Sequence, residues 1–147
     1  MIRISEQEAR ALGLAAPPRA ATTTATGQMN GLERDFDERL AWALCVNRIR
    51  HCSFEAIKLK LAGGCWYTPD FFVLDAAGRM WFVEVKGFWR DDAKVKVKVA
   101  AALHPHFGWL VAKRSRGVWR AYAVGPGGIA RRPLDGFPWD TFMQGGA

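Results

Sequence analysis

Several features that would point directly to a function are absent from this sequence. The three cysteines include no CxxC pair, which argues against a zinc knuckle and against a disulfide framework. The phosphate-binding pattern GxxxxGK followed by Ser or Thr does not occur, so we expect no nucleotide cofactor and no nucleotide hydrolysis. No serine lies in a GxSxG pattern, so a serine hydrolase of that type is not expected either.

Long apolar runs and a secretory leader are also missing. No apolar run approaches the ~18 residues that a transmembrane helix needs, and the N-terminus lacks the charged-then-apolar pattern of a signal peptide. We therefore expect no membrane partner and a cytoplasmic location. Half of the 147 residues are hydrophobic and 12% are aromatic, which predicts a folded core rather than a disordered chain.

Positive charge is concentrated in the second half of the chain. The net charge is +7, but residues 86–132 alone contain eleven Lys or Arg and two Asp. Residues 29–85 contain most of the acidic side chains and are nearly neutral overall. A strongly basic region that follows most of the acidic residues suits a polyanion such as DNA, which one part would hold and the other would cut. The alternative is a basic surface that only keeps the protein soluble.

The chain divides near residue 28. Residues 4–14 predict a short helix, with Ser5 as N-cap and Glu8 three residues later. Residues 15–28 predict a flexible linker, because Pro-Pro is followed by small polar residues without periodicity. We expect residues 1–28 to be an appendage whose helix could dock on another protein. Residues 29–147 would form one domain with an irregular tail from about residue 125.

Residues 67–86, with the sequence YTPDFFVLDAAGRMWFVEVK, predict the centre of that domain. Two apolar strands would be joined by a turn at residues 75–78. Asp70 lies at the start of the first strand, and Glu84 and Lys86 lie at the end of the second. Residues two apart in a strand project from the same face. Antiparallel pairing would therefore bring Asp70 close to Glu84 and Lys86.

Two carboxylates and a lysine at one place predict a cation site. Neighbouring carboxylates repel each other unless a positive charge lies between them. Hard oxygen ligands favour Mg²⁺ or Mn²⁺, and Mg²⁺ is usually held by only one or two carboxylates. Taken singly, Pro-Asp is a common turn dipeptide and Glu-x-Lys is usually a solvated strand face. The apolar flanks at 71–74 and 80–83 favour the functional interpretation, because charges at the ends of buried strands are seldom incidental.

Pro69-Asp70 followed by Glu84-Val85-Lys86 resembles the signature of the PD-(D/E)XK nuclease superfamily. The run from residue 54 to residue 105 is similar to small phage and prophage endonucleases of that superfamily, and the resemblance covers roughly residues 29–122. It implies an α/β fold with a restriction-endonuclease-like αβββαββ core, in which helices flank a central mixed β-sheet. The activity it implies is Mg²⁺-dependent endonuclease cleavage of DNA in phage or prophage metabolism, leaving a 3′-hydroxyl and a 5′-phosphate.

The resemblance also implies a role for each residue of the signature. Asp70 and Glu84 would hold the metal ion, with the carbonyl of Val85 as a third protein ligand. Lys86 would position the attacking water. Glu33 matches a glutamate on the first core helix that would bind a second metal ion or its water.

The first core helix is predicted to follow an Asn30-Gly31 cap and to run to about residue 50. Its apolar residues follow the spacing of one buried stripe, formed by Leu32, Phe36, Leu40 and Ala43. Glu33 borders that stripe, and its alternative role is that of an ordinary first-turn acid favoured by the helix dipole. Residues 54–62 alternate weakly and predict a strand that turns at Gly63-Gly64. Glu55 in this segment is a secondary candidate for the site.

Residues 91–104 fit either a strand or a helix. The alternation of Lys and Val at 94–99 favours a strand, whereas the acidic start, the alanine run and Pro105 favour a helix. We predict a helix, because a crossover is needed before the next strand can pair in parallel. Val95, Val99 and Ala102 would form its buried stripe. Strands would follow at 109–113 and 118–124.

The basic residues of this half are candidates for contacts with DNA phosphates, without reading of base sequence. The predicted contacts are Arg90, Lys94, Lys98, Lys113, Arg114 and Arg116. Two other functions fit the same pattern. A DNA-binding or assembly protein of this fold with little activity is disfavoured, because Asp70, Glu84 and Lys86 are all present. A resolvase of branched DNA, such as a Holliday junction, would need two active sites and therefore a homodimer.

Overall fold

Residues 28–88 and 90–135 are described by a computed structural model of the protein. The expectations for the N-terminal helix and linker up to residue 27, and for the tail from residue 136, lie outside these residues. The described part contains two α-helices and eight β-strands. In chain order they are α1 (Gly31–Cys45), β1 (Ile49–Phe54), β2 (Leu59–Ala62), β3 (Cys65–Tyr67), β4 (Phe71–Asp75), β5 (Met80–Lys86), α2 (Asp91–Leu103), β6 (Gly108–Ser115), β7 (Val118–Gly125) and β8 (Gly128–Ile129).

Helix α1 begins with a capping box. The Asn30 side chain accepts a hydrogen bond from the Glu33 N–H, and the Glu33 carboxylate accepts one from the Asn30 N–H, which satisfies two of the free donors at the helix start. The predicted stripe is largely confirmed, since its last three members are buried and only Leu32 is half-buried. The predicted end near residue 50 is wrong. The helix stops at Cys45, because Asn47 adopts a left-handed backbone with φ of 58° and turns the chain.

Strand β1 was not expected from the sequence. It pairs antiparallel with β4 along its length, whereas the predictions assign residues 49–50 to the helix, residues 51–53 to no element and residue 54 to the strand at 54–62. That predicted strand is wrong in extent, since only Leu59–Ala62 forms β2. Glu55 separates the two strands with a positive φ of 44°, a conformation that an extended strand cannot contain.

The main sheet has six strands in the order β1-β4-β5-β6-β7-β8. β5 and β6 pair in parallel, and the other neighbours pair antiparallel. The predicted α/β class with a mixed sheet is therefore confirmed, as is the antiparallel pairing within residues 71–86. β2 and β3 form a separate two-stranded hairpin, which turns at Gly64, where φ is 73°.

Helix α2 is confirmed as the crossover between the parallel strands β5 and β6, but its predicted buried stripe is wrong. Val95 and Val99 are 57% and 38% exposed, and Ala102 is exposed as well. The buried side is formed instead by Val97, Ala100 and Ala101. The Lys-Val repeat offers two possible stripes, and the small alanines allow the helix to approach the sheet with the stripe that contains Val97.

Neither helix of the described chain is long and apolar enough to cross a membrane.

Each face of the sheet has its own core, and each core includes one helix. Phe36 and Leu40 of α1 pack with Val83 of β5 on one face. Val97 of α2 packs with Phe82 of β5 on the other. Because successive strand residues alternate between faces, β5 sends Val85 toward α1. Its last polar residues, at 84 and 86, project on the α2 side, where the sheet ends.

Candidate active site

The two candidate carboxylates lie side by side where β4 begins and β5 ends. Phe71 of β4 pairs with Val83 of β5, so Asp70 and Glu84 occupy the next opposed positions along the two strands. Each residue is only 6% exposed. Two buried carboxylates so placed repel each other strongly unless a cation or a proton lies between them.

Lys86 supplies positive charge to both carboxylates. Its Nζ lies 2.9 Å from Glu84 Oε1 and 3.9 Å from Asp70 Oδ2. Burial by itself lowers the pKa of Lys86, but the charges of Glu84 and Asp70 outweigh burial and raise that pKa above its ordinary value. The side chain is therefore a cation at neutral pH. The structure therefore brings Asp70, Glu84 and Lys86 together, as the sequence predicts.

Asp70 is held by the backbone of β5, and its buried surroundings raise its pKa. Its Oδ2 accepts a 2.7 Å hydrogen bond from the Val85 N–H. Burial raises the pKa of Asp70 to about 7, and the charge of Glu84 adds to this effect, while Lys86 and the Val85 N–H oppose it. A carboxyl group with this pKa gains a strong preference for its charged form when a divalent cation binds nearby.

Tyr67 is a member of the site that sequence reasoning missed. Its hydroxyl donates a 2.6 Å hydrogen bond to Glu84 Oε2, and burial raises the pKa of Tyr67 far above its ordinary range, so the hydroxyl stays a donor. The ring stacks on Trp109 of β6, with centroids 6.3 Å apart. The available signal was a tyrosine in an apolar segment just before Pro69-Asp70, because a buried phenol needs a hydrogen-bond partner.

Glu33 lies close enough to act on the site through its charge. It is 8% exposed, and its charge contributes to the raised pKa of Asp70. A Cβ at Gly87 would lie 2.8 Å from Leu32 Cδ1, which shows how closely the start of α1 approaches the end of β5. The capping bond to the Asn30 N–H confirms the alternative role of Glu33 as a first-turn acid. Its role toward a metal ion stays a prediction.

Glu55 reaches the site through its backbone. Its N–H donates a 2.8 Å hydrogen bond to the carbonyl oxygen of Asp70, and its left-handed backbone turns the chain away from β1 at that point. Glu55 therefore helps to place the peptide of Asp70. A role for its carboxylate stays a prediction.

A row of three basic residues crosses the sheet beside the carboxylates. Lys86 pairs with Lys113 of β6, and Lys113 pairs with Arg120 of β7, so all three side chains project from the α2 side of the sheet. The Lys113 ammonium lies 5.7 Å from the ring centroid of Tyr122. Arg120 was not among the predicted contacts, because the register between β6 and β7 cannot be deduced from the local sequence.

The other predicted phosphate contacts are dispersed over the surface. Arg114 projects from the opposite side of the sheet, where its Nη1 lies 3.6 Å from Asp35 Oδ2 on α1. Lys94 forms an exposed ion pair of 3.1 Å with Asp91 at the start of α2. The remaining three are exposed: Arg90 before α2, Lys98 on α2 and Arg116 in the turn after β6.

The carboxylate pair suits a magnesium or manganese ion better than zinc. The donors are carboxylate oxygens without Cys or His, which is the chemistry of Mg²⁺ sites. Within residues 28–88 and 90–135, no three His, Cys, Asp or Glu side chains are close enough to hold a metal ion together, so water and substrate would have to complete the coordination.

Among known proteins, no family model, no curated protein and no solved structure matches this chain.

Proposed function

We propose that this protein is a divalent-metal-dependent endonuclease that hydrolyses DNA phosphodiester bonds. The observation that carries the proposal is the shared contact of the Lys86 ammonium with two buried carboxylates, Asp70 and Glu84. A protein that needs only stability gains little from this arrangement, because two buried acids and one base leave an uncompensated charge. A divalent metal ion supplies the positive charge that the site lacks, and the anionic phosphate ester can then bind that ion.

The order of elements supports a restriction-endonuclease-like core. If the β2–β3 hairpin is set aside, the chain runs α1, β1, β4, β5, α2, β6 and β7, which corresponds to αβββαββ. The strand order β1-β4-β5-β6-β7 keeps these strands in one mixed sheet, and the candidate carboxylates lie on its two central antiparallel strands. The hairpin would then be an insertion between the first two core strands.

Each residue of the site has a task in the proposed reaction. A bound Mg²⁺ would stabilise charge on the phosphoryl oxygens and lower the pKa of the attacking water. Asp70 and Glu84 would hold this ion, and Val85 would fix the carboxylate of Asp70 through its N–H. Tyr67 would fix the second oxygen of Glu84. Lys86 would orient the water or neutralise charge that develops on the phosphate.

The basic row formed by Lys86, Lys113 and Arg120 supports a polyanionic substrate. Like charges at directly opposed positions of neighbouring strands destabilise a sheet, and these three positions are opposed across three strands. A DNA backbone passing over this edge would offset that repulsion and would bring a phosphate to the carboxylates. Location in a phage-infected or prophage-bearing cell follows only from the resemblance.

One observation favours a second candidate, a DNA-binding protein of the same fold that does not cut. Both oxygens of Glu84 already have partners, in Tyr67 and Lys86, and Asp70 has the Val85 N–H. A network in which the polar atoms are satisfied can be retained for structure alone. The two candidates differ in one measurable property, which is cleavage that depends on a metal ion.

A cleavage assay separates these candidates. The protein would be incubated with single-stranded, duplex and branched DNA of matched sequence, in Mg²⁺, in Mn²⁺ and in excess chelator. We expect cleavage in either metal ion and none in chelator, with binding but little cutting in Ca²⁺. Binding without cleavage of every substrate would support the second candidate, and full activity in chelator would exclude the proposed site.

A further inference from the structure

The β2–β3 hairpin carries an exposed tryptophan beneath two lysines. Trp66 is 45% exposed. Its ring centroid lies 5.2 Å from the Lys58 ammonium and 5.9 Å from the Lys60 ammonium, and Lys60 is its partner across the hairpin. Tryptophan side chains are mostly buried in folded domains, as Trp81, Trp109 and Trp119 are here.

The two sides of the hairpin have different surroundings. Leu59, Leu61 and Tyr67 pack against the core on the α2 side of the sheet. Trp66 precedes Tyr67 in β3 and pairs with Lys60, so its ring projects away from that core. Tyr67, the next residue, donates its hydrogen bond to Glu84. Trp66 is therefore next in sequence to a residue of the candidate active site, while its ring lies on the opposite side of the hairpin.

The charge of the hairpin indicates the chemistry of its ligand. Residues 58–67 contain two lysines and no Asp or Glu, so this surface attracts anions. A second apolar surface would match the indole but not the two ammonium groups. A nucleotide matches both. Any base can stack on an aromatic ring, and the phosphate can pair with lysine.

We infer that Trp66, Lys58 and Lys60 form a stacking platform for an unpaired nucleotide of the DNA substrate. An ammonium group above an exposed ring is a weaker contact than a base stacked on it. The lysines can therefore exchange the ring for a phosphate when the base arrives. This inference rests on the proposed function, and it names the substrate: DNA with unpaired nucleotides, rather than continuous duplex.

The test compares two DNA ligands and matched variants by fluorescence anisotropy in Ca²⁺. One ligand is a labelled single strand, and the other is the same strand in a blunt duplex. Trp66→Ala should weaken single-strand binding by roughly 5- to 150-fold, the range for loss of one base–aromatic stack, and change duplex binding by less than about twofold. Trp66→Phe retains a ring and should keep most of the affinity. Met80→Ala, which truncates a residue of similar exposure (43%) on the main sheet, should leave both affinities unchanged.

The lysines have their own matched control. Lys58→Ala with Lys60→Ala should lower the salt dependence of single-strand binding by about 1.4, the value for two phosphates. Arg131→Ala with Arg132→Ala removes the same charge from another exposed segment and should change that slope less. Circular dichroism and thermal unfolding would show that each variant is folded.

The outcomes distinguish the two proposals. If Trp66→Ala and wild type bind single-stranded DNA with equal affinity and the protein still cuts DNA, the stacking platform is overturned. The nuclease proposal then stays in place. Equal losses on single strand and duplex would also overturn the stacking platform, because the residue would then contribute to general binding. A wild-type protein that neither binds nor cuts any DNA would remove both.

Discussion

The hydroxyl of Tyr67 and the carboxylate of Glu84 are joined by a buried 2.6 Å hydrogen bond that connects the hairpin to the main sheet. Glu84 Oε1 contacts Lys86, so the tyrosine holds the remaining oxygen. Carboxylates that bind metal ions are commonly oriented by such outer hydrogen bonds, and loss of the partner typically costs 10- to 100-fold in metal affinity or activity.

Tyr67→Phe should therefore raise the Mg²⁺ concentration needed for half-maximal cleavage by about 10- to 100-fold. The loss of the donor should also reduce the free energy of unfolding by about 1.5–3 kcal/mol, the usual value for a hydrogen bond to a charged group. The measurements are cleavage as a function of Mg²⁺ and chemical denaturation. Tyr122→Phe is the matched control, because a phenyl ring can still contact Lys113. A Tyr67→Phe protein with the wild-type Mg²⁺ requirement would show that the bond serves only folding.

The pH dependence of stability should report on Asp70. Its pKa is raised from 3.8 to about 7 in the folded protein, so the folded state binds more protons than the unfolded state between these values. The stability that comes from protonated Asp70 is complete below pH 3.8 and is lost as the pH rises through about 7. Thermal unfolding should show this loss in wild type and a flatter profile in Asp70→Asn.

A metal ion should reverse this trend, because it competes with the proton for Asp70. The increase in Tm caused by Mg²⁺ should be small at pH 5 and should grow as the pH rises through about 7. Asp70→Asn should show little increase at any pH. A Tm increase that is independent of pH, or that survives in Asp70→Asn, would place the metal ion elsewhere.

Glu84→Gln separates an active site from a structural ion pair. The substitution keeps the size of the side chain and removes its charge. If Glu84 holds a metal ion, cleavage should fall by orders of magnitude while DNA binding survives, because the metal contributes several kcal/mol to the reaction barrier. If it serves only the buried network with Tyr67 and Lys86, the substitution should cost several kcal/mol of stability with no loss of activity. Cleavage and binding should be measured on the same DNA.

Lys86→Ala should abolish cleavage but make the protein more responsive to metal ions. Two buried carboxylates lose the cation that lies 2.9 Å and 3.9 Å from them, so Mg²⁺ should raise the Tm of this variant more than that of wild type. Lys94→Ala removes an exposed ion pair and is the control. Cleavage at the wild-type rate in both Lys86→Ala and Glu84→Gln would remove these residues from the site.

The adjacent residues Lys113 and Arg114 provide a test of which side of the sheet meets DNA. Lys113→Ala should weaken binding similarly for all sequences and flatten its salt dependence by about one unit. Arg114→Ala should have little effect on binding, because this side chain contacts Asp35 on the opposite side, and should cost under about 1 kcal/mol of stability. The reverse result would place DNA on the α1 side and contradict the proposed role of the row with Arg120.

Local pattern was enough to predict the central hairpin and its polar residues. Strand alternation put Glu84 and Lys86 on one face, and the turn before Met80 brought Asp70 alongside them. Both inferences use only neighbours in sequence and the fixed geometry of a strand pair. The cap of α1 was predictable for the same reason, because Asn30 and Glu33 are three residues apart.

Contacts between distant segments were not predictable in this way. The choice of Val97 over Val95 and Val99 depended on how α2 meets the sheet, since both stripes have helical spacing. β1 was missed because its edge position rests on pairing with β4, which no local pattern specifies. Arg120 joined the basic row only through the register of β6 and β7.

The sequence by itself determined which residues could form a carboxylate–lysine site, because their spacing along two strands leaves few other arrangements. Only the tertiary structure decided what surrounds that site: the Tyr67 hydroxyl on Glu84, and Glu33 of the capping box, whose charge acts on Asp70. Backbone geometry constrains neighbours within a few residues, whereas burial and long-range pairing depend on the free energy of packing the whole chain.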